Sequence, residues 1–155
     1  MDAAQNEARQ RNQLVEPSHL LLAILRMPEC GAYRLIKCSV DSTADLAARV
    51  FASVVASPVQ RDMVPKRVPL STHAKAAIEK SVESVMRPPR NWNSCDVLIG
   101  IVRDGASPAA DILNTVGVTN ECIDSEIDAR GLSHFFDNST AGTAAPHGDP
   151  DGFER

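Results

Sequence analysis

Apolar residues along this chain fall into short stripes at helical spacing, each entered through a polar residue and ended by proline, glycine or charge. The polar start MDAAQNEARQRNQ predicts a first helix over residues 3–13. Pro17 follows Glu16 in a first turn, where proline loses no helical hydrogen bond. Leu20, Leu21, Ile24 and Leu25 then mark one buried face, and Pro28 ends the helix. Residues 31–38 predict a short helix with Leu35 and Ile36 inward. Ser42, with Asp45 three places on, resembles a capping box and starts a helix striped by Leu46, Val50 and Val54. Residues 56–70 hold three prolines and several charges and read as a linker. Ser71 caps the next helix, whose inner face reads as Ile78, Val82 and Val85 before Pro88 and Pro89 stop it. Asn93 caps a helix containing Val97, Leu98, Ile101 and Val102, and Asp96 stands where the helix dipole favours a carboxylate. Ser107 and Pro108 open a short helix that Gly117 closes. Thr119 caps a last helix with Ile123 and Ile127 inward.

Two of these stretches, EPSHLLLAIL at 16–25 and NSCDVLIGIV at 93–102, lie 77 positions apart. At that offset Leu21 meets Leu98, Ile24 meets Ile101 and Ala32 meets Ala109, with conservative pairs such as Leu20/Val97 between them. A period this long is no short solenoid repeat. The pattern predicts an all-α fold of two four-helix repeats related by a pseudo-twofold and sharing one core. The boundaries are residues 1–55 for repeat 1, 56–70 for the linker, 71–130 for repeat 2 and 131–155 for a tail. The halves differ in one respect. Repeat 2 has 25 positions from Ser71 to Asp96, and repeat 1 has 18 from Met1 to His19. Helix 1 is thus expected to be about two turns short: either the native start lies upstream of Met1, or part of the second repeat's core is uncovered and an apolar groove is exposed for a partner.

Composition narrows this picture. The 155 residues suit one domain, and 43% are hydrophobic but only 4% aromatic, so the core is aliphatic. The net charge is −4; from Gly131 onward four acids face one base, leaving the body nearly neutral. A body without a basic stripe argues against nucleic acid. No apolar run approaches the ~18 residues of a membrane span, and the polar N-terminus has no signal core, so the expected location is the cytoplasm. Cys30, Cys38, Cys95 and Cys122 form no CxxC. They are expected as largely buried thiols, with Cys38 and Cys122 at positions suited to small apolar residues. The tail is rich in Gly, Pro, Ser, Thr and Asp and is expected to be disordered, with residues 134–136 (HFF) able to pack back on the body.

The stretches EPSHLLLAILR, GAYRLIKCSVD, VPLSTHAKAAIEKSVESV and DVLIGIVRDGASPAADILNTVGV, taken in this order, resemble the double repeat of the Clp ATPase amino-terminal domain over residues 3–130. The resemblance implies a helical module, tethered in ClpA- and ClpC-type AAA+ unfoldases, that docks adaptors and substrates; standalone forms exist. It implies protein partners, no cofactor and no metal. Two departures bear on function. No GxxxxGK[ST] occurs, so nucleotide phosphates have no such cradle. Some members bind phosphoarginine through an acid just before the second-helix motif of each repeat, and the matching positions here are Ser18 and Cys95. Neither offers a carboxylate to a guanidinium; Glu16 and Asp96 are near but differently placed.

Candidate chemistry is sparse. Ser18 and His19 lack the strand–turn–helix setting of a nucleophile elbow, and His19 is expected to help cap its helix. His73, His134 and His147 make no zinc spacing with the cysteines and read as solvated. Trp92 is expected to plug the junction between repeats, with partner anchoring as the other reading. A non-catalytic, protein-binding module of the Clp system, modulating proteolysis through the inter-repeat groove, is the leading expectation. Glu16, Ser18, Trp92, Asn93 and Cys95 are its candidate partner-binding residues. The alternative is the N-terminal part of a larger Clp-type ATPase, against which the acidic tail reads as a free terminus.

Overall fold

A computed structural model describes residues 1–60, 67–85 and 92–131. Among these residues there are eight helices: α1 (Asp2–Gln10), α2 (Pro17–Leu25), α3 (Gly31–Ser39), α4 (Thr43–Ala56), α5 (Thr72–Val85), α6 (Ser94–Asp104), α7 (Pro108–Thr115) and α8 (Asn120–Arg130). The expected all-α fold is present, and its internal repeat is visible in the helix starts. The first residues of α2, α3 and α4 are Pro17, Gly31 and Thr43; the first residues of α6, α7 and α8 lie 77 positions further on. The expected tail, including residues 134–136, and part of the linker lie outside the described residues.

The helices begin where the polar entries predict. Ser42 Oγ accepts from the Asp45 N–H at 3.1 Å, Ser107 Oγ from Ala110 and Thr119 Oγ1 from Cys122. Each satisfies a donor that a helix start would leave unpaired, worth about 1 kcal/mol. After α7, Gly117 takes φ 84, the left-handed conformation that a Cβ disfavours.

Helices α2 and α6 form the centre. Every residue of α2 is buried, and Leu98, Ile99, Ile101 and Val102 of α6 are buried too. Leu35 and Ile36 from α3, Leu46, Val50 and Val54 from α4, Leu113 from α7 and Ile123 from α8 complete one continuous aliphatic core. Burying each such side chain contributes about 1.5–3 kcal/mol, which is how a chain with few aromatics holds together.

Three local expectations are corrected. Helix α1 stops at Gln10 instead of running to residue 13. Asn12 turns left-handed, with φ 51, and this throws Gln13 inward. Among the described side chains of α5 the inner face is Ala74, Ala77 and Ser81, while Ile78 is only partly buried and Val82 is 46% exposed; the side chain of Val85 lies outside the described ones. The reason is the approach of α6: a Cβ built on Gly100 would lie 2.0 Å from the Ala77 carbonyl oxygen and 2.9 Å from Ser81 Cβ. Only small residues fit such a contact, so bulk is turned outward. Of the thiols, Cys30 and Cys95 are buried, whereas Cys38 is exposed and Cys122 half-buried.

The linker is more than a solvated strap. Val15 N–H donates to the Pro69 carbonyl at 2.9 Å, and Ser71 N–H donates to the Val15 carbonyl at 3.0 Å. Val68 is buried in the core. The first part of the linker is held as well, since Gln60 N–H donates to the Asn12 carbonyl at 2.6 Å.

Candidate functional site

The five residues singled out from the sequence do not converge. Two flank one cleft, two line a groove elsewhere, and one is sealed in the core.

The cleft, of about 410 Å³, is lined by Glu16, Ser18, Ser53, Ala56, Ser57, Pro58, His73 and Pro108. Glu16 is the N-cap of α2, and its carboxylate accepts from Ser71 Oγ at 2.8 Å. Ser71 Oγ in turn accepts from the Ala74 N–H, so one hydroxyl caps α5 and ties it to α2. Ser18 Oγ pairs with Ser53 Oγ at 3.0 Å and has no bond to an imidazole. His73, on the same lining, has Nδ1 3.6 Å from Asp104 Oδ2. The cleft presents hydroxyls, one carboxylate and an imidazole, and among the described residues Ser18 Oγ is paired with Ser53 and not with the imidazole.

Beneath it lies a polar chain that the sequence showed only in part. His19 is fully buried. Its Nδ1 accepts from the Glu16 N–H at 3.0 Å, confirming its part in capping α2. That bond leaves Nε2 as the protonated nitrogen, donating to Gln13 Oε1 at 3.1 Å. Gln13 Nε2 then donates to the carbonyls of Val54 at 2.9 Å and Ser57 at 2.7 Å. Burial pushes the His19 pKa below the usual imidazole range, opposed in part by nearby Glu7. The neutral ring serves as an internal strut. Gln13 was invisible as a core residue because its polarity placed it in a surface pattern.

The second feature is an apolar groove of about 200 Å³ between the start of α1, the face of α2 and the start of α6. It is lined by Met1, Ala4, Leu20, Ala23, Ile24, Met27, Trp92, Asn93, Ser94 and Val97. This is smaller than the ~300–1,000 Å³ of drug-sized sites, so it suits side chains of a polypeptide better than a cofactor. Trp92 was expected to plug the junction; it touches α5 through Nε1–H, which donates to Ser81 Oγ at 2.9 Å, yet 42% of its surface remains exposed. Met27, on the opposite rim, is 37% exposed. Asn93 Oδ1 accepts from Cys95 N–H, and Asn93 N–H donates to Asp96 Oδ2 at 2.9 Å. Ser94 Oγ accepts from the Ala32 N–H at 3.2 Å, fixing α3 beside the groove. Cys95 is fully buried and faces neither opening.

The chain matches the Clp repeat (R) N-terminal domain family over residues 1–116, and it belongs to that family. Among solved structures, the crystal structure of the Hsp104 N-terminal domain from Candida albicans is similar in fold, with a TM-score of 0.68 at 21% sequence identity. The similarity covers 84% of this chain and 85% of that one. A search of curated proteins finds no match. Among the described residues no helix is long and apolar enough to cross a membrane.

Proposed function

We propose that this protein is a non-catalytic polypeptide-binding module of the Clp unfoldase and protease system. It docks adaptors, substrates or Clp subunits and modulates proteolysis by recruiting or withholding them, in the cytoplasm. The observation that carries this reading is the groove between α1, α2 and α6: its walls are Leu20, Ala23, Ile24 and Val97, and its rim leaves Trp92 and Met27 in water. Exposed aromatic and methionine side chains beside an apolar recess are what a protein–protein hot spot needs. Membership of the Clp repeat family supports the same reading.

The test is binding of a fluorescein-labelled, reduced and alkylated casein to the full chain, followed by anisotropy. Met27→Glu puts a charge on the rim at an exposed position and leaves the fold intact. Saturable binding that weakens about tenfold or more in this variant is expected. Absence of binding, or binding indifferent to Met27→Glu, removes the groove from the function.

A further inference from the structure

Helices α4 and α8 hold the same place in the two repeats, and their inward faces match. At the 77-residue offset Leu46 and Val50 of α4 correspond to Ile123 and Ile127 of α8, all of them packed in or against the core. The outward faces do not match. On α8 the exposed residues Glu121, Ser125 and Asp128 face water. Their counterparts on α4 are Ala44, Ala48 and Phe51, and Val55 extends the row. Phe51 is 39% and Val55 52% exposed. The α8 face shows that the fold itself asks for no apolar residues at these positions.

Ala44, Ala48, Phe51 and Val55 recur at the spacing of a helix–helix seam. Since Leu46, Val50 and Val54 line the opposite side, α4 is apolar on two faces, the pattern of a helix covered on both. Its 14 residues include two charged ones, Asp45 and Arg49. Both are exposed, and among the described residues neither joins an ion pair. Opposite in sign and one turn apart, they complement the same two residues read in the reverse direction. That condition is met by a second copy of this chain turned about a twofold. Arg11 stands over the Phe51 ring at 5.0 Å and is itself paired with Glu7, so the ring is held before a partner arrives.

We propose that the outer face of α4 is a self-association surface, against which a second copy of this chain lays its own α4 antiparallel about a twofold at Ala48. Phe51 and Val55 of each copy lie across Ala44 and Ala48 of the other. The alanines let the two helix axes come close. Asp45 of each copy pairs with Arg49 of the other, so the contact closes as an isologous dimer with no charge facing its like. A single helix pair buries less than the ~1,200 Å² of a standard interface. The dimer is therefore reversible, with a Kd on the order of 10–100 μM. None of the residues lining the groove between α1, α2 and α6 lies on α4, so association and polypeptide binding are independent.

Sedimentation of the full-length protein from about 5 μM to about 1 mM reads the association. A monomer–dimer equilibrium is expected. Phe51→Asp, which installs the residue of the matching α8 position, should weaken it about tenfold or more while the circular-dichroism spectrum stays helical. Val55→Lys, at a more exposed position, should do the same and decides the matter where Phe51→Asp fails to fold. Asp45→Arg should weaken association about threefold, and adding Arg49→Asp should restore it, because both pairs re-form with their signs exchanged. Met27→Glu, on the rim of the groove, should leave association unchanged, and casein binding should persist in Val55→Lys. A protein that stays monomeric over the whole range, or a dimer indifferent to Val55→Lys, overturns the proposal. A dimer that Met27→Glu dissolves belongs to the groove and overturns it as well.

Discussion

Helices α5 and α6 touch along their length through Ala74, Ala77, Ser81 and Gly100. Helices α1 and α2 are the matching pair, yet α1 has nine residues where α5 has fourteen. Ala23, the counterpart of Gly100, looks into a groove instead of onto a backbone. The contrast shows how one packing scheme serves two ends. In repeat 2 a small-residue contact is filled to interior density and contributes only stability. In repeat 1 the same surface is left partly open, with Leu20, Ala23 and Ile24 lining a groove.

The sharpest way to break the comparison is to add one heavy atom at each of the two matched positions. Gly100→Ala drives a Cβ into the Ala77 carbonyl and should cost about 3 kcal/mol or more, read by urea unfolding. Ala23→Ser, at the open counterpart, should cost less than about 1 kcal/mol. Equal costs would mean that the two pairs are packed alike.

The next effect concerns the caps, because His19 and Asp96 lie 77 residues apart and solve one problem with different chemistry. Each accepts from the N–H of its N-cap residue, Glu16 or Asn93. His19→Ala leaves that N–H and Gln13 Oε1 unpaired in the core and should cost about 2 kcal/mol. It should also change the pH profile. The folded state holds His19 below its ordinary pKa, while the unfolded chain takes up the proton near pH ~6.5. As pH falls through that value the unfolded state binds more protons, so stability drops, continuing until the folded ring also protonates. Above it this residue adds no slope. Unfolding free energies from pH 8 to 5 should show the decline in the parent and a flatter line in His19→Ala. Glu7 is also depressed, chiefly by Arg26, but its contribution is lost only in the lower carboxylate range.

Smaller effects test the ties between helices. Ser71→Ala removes the α5 cap and the bond to Glu16 together and should lower stability by about 1–2 kcal/mol in thermal melts. Arg26→Ala breaks the 2.7 Å pair with Glu7, but its guanidinium is half exposed, so about 0.5 kcal/mol or less is expected.

Most of the fold could be read from residue order. Caps at Ser42, Asn93, Ser107 and Thr119 and stripes such as Leu46, Val50 and Val54 are local signals, and local signals survive folding. The misreadings came from contacts between distant segments. Nothing near Val82 announces that α6 will press on the opposite face of α5, since that depends on Gly100. Nothing near Gln13 announces two carbonyls at the end of α4. The candidate residues were each placed sensibly along the chain, but whether Glu16 and Trp92 share an opening is a question of three-dimensional arrangement, and they do not.

The polar chain running from Glu16 through His19 and Gln13 to Ser57, together with the pairing of Val15 to residues 69 and 71, sets the order of synthesis against the order of assembly. When the ribosome has released only the first four helices, α2 lacks the Ser71 hydroxyl at its cap and the strand partners of Val15. The first half therefore cannot reach its final form as an independent folding unit, and a nascent chain arrested near residue 60 should stay protease-sensitive until the start of α5 emerges.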